Sequence, residues 1–154
     1  MGTSLKVAVF LSALAWWVVG ASPAAAADSP VGNWVRQAEP GQPEETMTIE
    51  SWGIGHTKLD TAVKGSRFVA TIMSSLDGAD SPITVNSRPS TATMALTLLD
   101  EQQATTVTKL DLQPVGASKW TFSPDFTTLT IEDDFSQAVS GTPAGKSTEH
   151  WTRR

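Results

Sequence analysis

The two histidines are the first residues to test for chemistry, because imidazole acts as a general base or a metal ligand near neutral pH. His56 and His150 lie far apart in the sequence, each on the threonine-rich face of a predicted strand. Either role needs partner side chains, and no His-Glu-x-x-His motif supplies them. We therefore expect two solvated surface histidines with no catalytic or metal-binding role.

Carboxylates form one dense run, Glu132-Asp133-Asp134, and their oxygens could bind Ca²⁺. The run lacks the spacing of a calcium-binding loop, and consecutive strand residues point to opposite faces. Glu44 and Glu45 indicate a solvated turn. We expect no metal site. A carboxylate pair for glycoside hydrolysis stays open, because nothing in the sequence selects one pair.

Covalent chemistry has no support in the sequence. The chain contains no cysteine, which excludes thiol catalysis and cysteine metal sites. A Gly-x-Ser-x-Gly nucleophile motif and a phosphate-binding glycine loop are both missing. We therefore expect a protein that is not an enzyme and holds no cofactor.

Trp52 could instead serve in recognition. Its position opposes Met47 and Ile49 in strand parity, and it precedes Gly53 in a predicted turn. An exposed indole there could bind a sugar ring or a partner protein. The same indole could also fold over the end of the molecule, and both interpretations stay open.

Residues 1–27 are typical of a secretory signal peptide. Lys6 precedes an apolar run over residues 7–19, and four alanines at 24–27 offer a cleavage site before Asp28. The run is short for a membrane-spanning helix. We expect the mature domain to comprise residues 28–154, without a membrane span, in the periplasm or outside the cell.

The charge balance excludes some partners. The whole chain has a formal net charge of −5, and removal of Lys6 with the signal peptide makes it −6. Neither nucleic acid nor an anionic membrane is an expected partner of an acidic chain without a basic stripe.

The dominant hydrophobic period is two residues, which is typical of half-buried antiparallel strands. Turn signals occur at 77–78 and at 114–116, among other places. The pattern predicts about nine strands, with 81–85 as a short extra piece: 31–36, 45–52, 56–63, 67–74, 81–85, 91–98, 104–113, 117–122, 127–133 and 147–152. Closing such a sheet removes its edges, which predicts an all-β, up-and-down antiparallel β-barrel of about eight to ten strands.

Several motifs occur in an ordered set along the mature chain. In this order and spacing they resemble a family of small exported bacterial proteins with a lipocalin-like domain. The resemblance implies a lipocalin-like barrel and supplies no function. The matching motifs are Gly-Asn-Trp-Val at 32–35, the run from Asp to Asn at 77–86, Ser-Pro-Asp at 123–125, Gly-Lys at 145–146 and His-Trp-Thr-Arg at 150–153.

The lipocalin comparison also implies a structural plug. In that fold the tryptophan of a Gly-x-Trp motif packs beneath an arginine from a late strand. Here Gly32 and Trp34 open the first strand, and Arg153 shares the parity of Trp151 on the last. We expect the guanidinium to stack on the Trp34 indole and close one end of the barrel.

The interior allows two functions. If it encloses a cavity, the protein binds a small, mostly apolar molecule. If its large inward residues fill it, the alternative function is a protein- or cell-envelope-interaction module. Large inward residues favour a filled interior, while ligand binding is the first functional hypothesis. The expected cavity wall comprises Phe68, Ile72, Met94, Leu96 and Trp120.

Overall fold

The structure is a computed structural model that describes residues 28–53, 56–139 and 142–154. Ten β-strands account for most of them. Among the described residues, no helix is long and apolar enough to cross a membrane. The strands are β1 (Gly32–Arg36), β2 (Glu45–Glu50), β3 (Thr57–Val63), β4 (Val69–Ser74), β5 (Asp77–Val85), β6 (Arg88–Leu98), β7 (Gln103–Leu110), β8 (Gln113–Phe122), β9 (Thr128–Phe135) and β10 (Gly145–Arg153).

The ten strands form one closed antiparallel barrel. Each strand pairs with its neighbours in the sequence, and β10 pairs with β1 to close the sheet. The closing register places Trp34 opposite Arg153 and Arg36 opposite Trp151. This topology confirms the predicted up-and-down barrel. Each of the ten segments expected from the alternation pattern overlaps a strand, including the short piece at 81–85 in the second half of β5, although the expected segment 104–113 runs across a turn.

Strand β9 shows why the sequence forms such a wall. Leu129, Ile131, Asp133 and Phe135 are buried, whereas the residues between them are exposed or half-buried. Because side chains on a strand alternate between the two faces, this pattern gives one face to the interior and the other to solvent.

Two expected turns are in fact strand. Residues 77–78 begin β5, and residues 114–116 lie in β8. The chain turns instead at Ser75-Leu76 and at Asp111-Leu112, where Leu76, Asp111 and Leu112 have positive φ. Glycine and proline at these positions indicated turns, but both residues also occur at β-bulges within strands. A register shift follows Asp77, and another accompanies Pro114.

The interior is divided into two apolar clusters. The first, called the Phe122 cluster, surrounds the Phe122 ring, whose centroid lies 5.6 Å from that of Trp34 and 6.0 Å from that of Phe126. The second, called the Phe135 cluster, joins Phe135 to smaller side chains: Ala70, Ile83, Ala92, Val115 and Val139. The first cluster combines five aromatic residues with large aliphatic ones, and the second contains mostly smaller side chains.

The plug residues lie beside the Phe122 cluster, although their contacts differ from the expected stacking. Trp34 is fully buried, and its indole N–H donates to the carbonyl of Pro30 at 2.9 Å. Arg153 donates to the carbonyls of Ser29, at 2.8 Å, and Val31. A Cβ on Gly32 would lie only 3.1 Å from Nη2 of the Arg153 guanidinium. Arg153 therefore fixes the segment before β1 by hydrogen bonds, and the glycine makes room for the arginine.

Candidate functional site

A cavity of about 130 Å³ lies inside the barrel between the two clusters. Four of the five expected wall residues line it, namely Phe68, Ile72, Met94 and Trp120. Its other lining residues are Glu45, Met47, Leu59, Thr61, Ala70, Ile83, Thr108, Ser118, Ile131, Asp133, Phe135, Val139, Thr142, Glu149 and Trp151.

Leu96 was wrongly expected in the cavity wall. It faces inward, as its parity predicts, but it is fully buried in the Phe122 cluster. Alternation fixes the face on which a residue lies and leaves its height along the barrel undetermined. Met94, two residues earlier on β6, reaches the cavity.

The expected filled interior is only partly present. Side chains pack around Phe122 and around Phe135, and between the two clusters Ala70, Thr108 and Ser118 face the cavity. Inward side chains this small leave space that the neighbouring strands cannot close, because the hydrogen-bonded ladder fixes the spacing of the strands.

The charged groups that line the cavity are all carboxylates, from Glu45, Asp133 and Glu149. One cation lies beside two of them. Arg36 Nη1 is 2.9 Å from Glu45 Oε2 and 2.9 Å from Glu149 Oε1. The second Glu149 oxygen accepts the Trp151 indole N–H at 3.1 Å. A polar wall therefore faces the apolar residues of the cavity.

This polar wall is absent from the expectations above, although the sequence contains a signal for it. Glu45 precedes Met47 by two positions, Glu149 precedes Trp151 by two, and Asp133 follows Ile131 by two. Strand parity thus places all three carboxylates on the inner face. We had assigned Glu45 to a solvated turn because acidic residues are seldom buried.

Asp133 is the most deeply placed of these acids, with only 7% of its surface exposed. It accepts hydrogen bonds from the hydroxyl of Ser118 at 2.5 Å and that of Ser147 at 3.4 Å. Burial nevertheless raises the pKa of Asp133, against the opposing effects of these bonds and of Arg36. Burial likewise raises the pKa of Glu45, partly offset by Arg36. For both carboxylates, the neighbouring hydrogen bonds and Arg36 therefore do not fully offset the cost of removing the charge from water.

Thr108 adds an unpaired polar group to the cavity. Its residue is 2% exposed, and its hydroxyl has no hydrogen-bond partner among the described residues. Buried hydroxyl groups without partners are uncommon and costly. Thr108 lines the same cavity as the carboxylates, so a bound molecule could supply the missing partner.

The other residues tested for chemistry remain at the surface. His56 and His150 are both exposed, as expected. Glu132 and Asp134 are also exposed and lie on the opposite face of β9 from Asp133, so the acidic run does not converge. Within the described ranges, no group of three potential ligands is arranged to hold a metal ion.

Trp52 folds over the end of the barrel, which is one of the two arrangements that the sequence left open. The side chain is half-buried and packs on the Phe122 cluster, with its ring centroid 5.3 Å from that of Phe122 in an edge-to-face arrangement. Its apolar contacts with the ring explain this position, because removing the faces of the indole from water is favourable.

Comparison with known proteins supports the fold. No protein-family model matches the chain, and no curated protein matches its sequence. Among solved structures, a point mutant of the fluorescent protein UnaG is similar, with a TM-score of 0.58 and 12% sequence identity. The match covers 80% of this chain and 95% of that one. The chain folds as a lipocalin-like β-barrel.

Proposed function

We propose that the protein binds one small molecule, with a compact apolar body, inside its barrel. The observation that carries the proposal is the cavity of about 130 Å³ in the interior of the closed sheet, lined mostly by strand residues. Barrels of about this size, lipocalins among them, can hold one small ligand in the interior.

The size of the cavity limits the ligand. A volume of about 130 Å³ is below the usual range for drug-sized ligands, which is roughly 300–1,000 Å³. It is close to that of apolar protein cavities of about 150 Å³ that bind benzene. The ligand body should therefore be about the size of one six-membered ring or a short branched chain.

Toluene tests this proposal. Titration of the ¹⁵N-labelled protein with toluene should shift the amide NMR signals of Ile72, Met94 and Trp120, which line the cavity. Ala70→Leu should abolish binding, because Ala70 lines the cavity and a larger side chain there fills it. Ala117→Leu is the matched control, because Ala117 is exposed on the same barrel.

Two results would refute ligand binding in the cavity. One is the absence of saturable shifts in the unmodified protein both with toluene and with polar analogues of the same size. The other is equal binding by the Ala70→Leu and Ala117→Leu variants, since toluene would then bind outside the barrel.

The proposal includes export and a non-enzymatic role. The signal-like residues 1–27 support export. The hydrogen bonds of Trp34 and Arg153 reach back to Pro30 and Ser29, close behind the expected cleavage point before Asp28. N-terminal sequencing of the protein from the periplasm or medium should give Asp28 as its first residue, and a retained Met1 in the cytoplasmic fraction would contradict export.

A role as an interaction module has no supporting observation of its own. The sequence-based hypothesis required a filled interior, whereas a cavity is present, and the indole of the candidate contact residue Trp52 packs on Phe122. A cell-envelope partner is therefore not part of the proposal.

A further inference from the structure

The electrostatics of the cavity select among possible ligands. Its charged lining groups are the carboxylates of Glu45, Asp133 and Glu149, whereas Arg36 is not one of the lining residues. Three carboxylates with one guanidinium leave a net charge of −2 when all are ionised. A cation inside the cavity would gain from this field, and an anion would be repelled.

The hydrogen-bonding capacity of the wall points the same way. A carboxylate offers about four acceptor positions. Asp133 uses two of them, for Ser118 and Ser147, and Glu45 uses one of its oxygens for Arg36. Acceptor positions therefore remain available on the buried Asp133 and on the half-buried Glu45, and burial already raises the pKa of each carboxyl.

Thr108 supplies an independent observation that a polar ligand group belongs here. Its hydroxyl is buried, lines the cavity and lacks a partner among the described residues. An ammonium group has three N–H donors and no acceptor, so it suits a wall of carboxylate and hydroxyl oxygens.

We propose that the ligand is a small organic cation, a primary amine carried on a compact apolar body. This inference rests on the proposed function, because it assigns the ligand class of the same cavity. A bare divalent metal ion is disfavoured, since the described residues hold no group of three metal ligands at suitable spacing. It would also leave the apolar wall formed by Phe68, Ile72 and Met94 without a contact.

Three probes of nearly equal shape test the charge preference: benzylammonium, benzyl alcohol and benzoate. Calorimetric titration at pH 7 should show benzylammonium binding about tenfold or more tightly than benzyl alcohol, with benzoate weakest. Equal or tighter binding of benzyl alcohol would overturn the cation inference while ligand binding in the cavity stands. If neither these probes nor toluene bind, the proposed function itself fails.

Two variants locate the effect on the wall. Asp133→Asn should weaken benzylammonium binding about tenfold and leave toluene binding unchanged. Asp134→Asn is the matched control, because the adjacent Asp134 side chain is 66% exposed on the outer face. If Asp133→Asn fails to fold, Glu45→Gln replaces it with the same expected loss. If a folded Asp133→Asn or Glu45→Gln variant binds benzylammonium as tightly as the wild type does, the inference is overturned.

Discussion

Gly116→Ala is the sharpest test of how the Phe135 cluster is packed. Gly116 lies opposite Phe135 in the β8–β9 register. A Cβ on Gly116 would lie 2.5 Å from Cγ of the Phe135 ring and 2.6 Å from Cε1. Because Gly116 is not one of the glycines with positive φ, its backbone conformation accepts alanine. The three atoms nearest the added methyl group all belong to the aromatic ring of Phe135.

The expected cost follows from close packing. The added methyl group must displace a ring that is 6% exposed and held by its neighbours. Overpacking of this kind costs about 1–3 kcal/mol. For a domain of this size, that lowers the melting temperature by roughly 3–15 °C.

A double-mutant cycle checks the mechanism by urea unfolding. Phe135→Leu makes room for the methyl group, so Gly116→Ala should cost about 1 kcal/mol less in that background. Phe126→Leu is the control, because Phe126 is equally buried but belongs to the Phe122 cluster. Additive free energies in the Gly116–Phe135 cycle would refute the reasoning.

Three further predictions concern the plug and the polar wall. Arg153→Ala should lower the free energy of unfolding by about 2–4 kcal/mol through two lost charged hydrogen bonds. Arg154→Ala, which removes an exposed ion pair, should lower it by less than about 1 kcal/mol. Equal losses in the two variants would contradict the structural role of Arg153 in the plug. Gly32→Ala should lower the free energy of unfolding by about 2 kcal/mol, because φ is +143° and the added Cβ would crowd the Arg153 guanidinium. Thermal unfolding measures this loss, and an unchanged melting temperature would argue against it. Burial raises the pKa of Asp133, so ionisation of this carboxyl opposes folding. The free energy of unfolding of the wild type should therefore fall relative to that of Asp133→Asn as pH rises from about 3.9 through the folded pKa. Urea unfolding at pH 4 and pH 7 measures this difference, and a difference that is constant with pH would contradict the prediction.

Much of the fold could be predicted because alternation is a local property. Leu129, Ile131 and Phe135 recur at every second or fourth position, and a pleated strand necessarily turns them to one face. The turns were less predictable. Leu76 and Asp111 adopt positive φ without being glycine, while the glycines at 78 and 116 lie inside strands.

The cavity could be predicted only in part. Parity places Phe68, Met94 and Leu96 on the inside, yet only the first two line the cavity. The height of each side chain along the barrel depends on the stagger between neighbouring strands, which the sequence of one strand does not contain.

The sequence by itself determined the strand content, the inner face of each strand and the acidic charge of the chain. Tertiary structure alone decided where space remained, because a cavity is the volume left after ten strands have packed. It also decided that Glu45, Asp133 and Glu149 meet in one wall, since residues far apart in the sequence become neighbours only when β1 and β10 close the barrel.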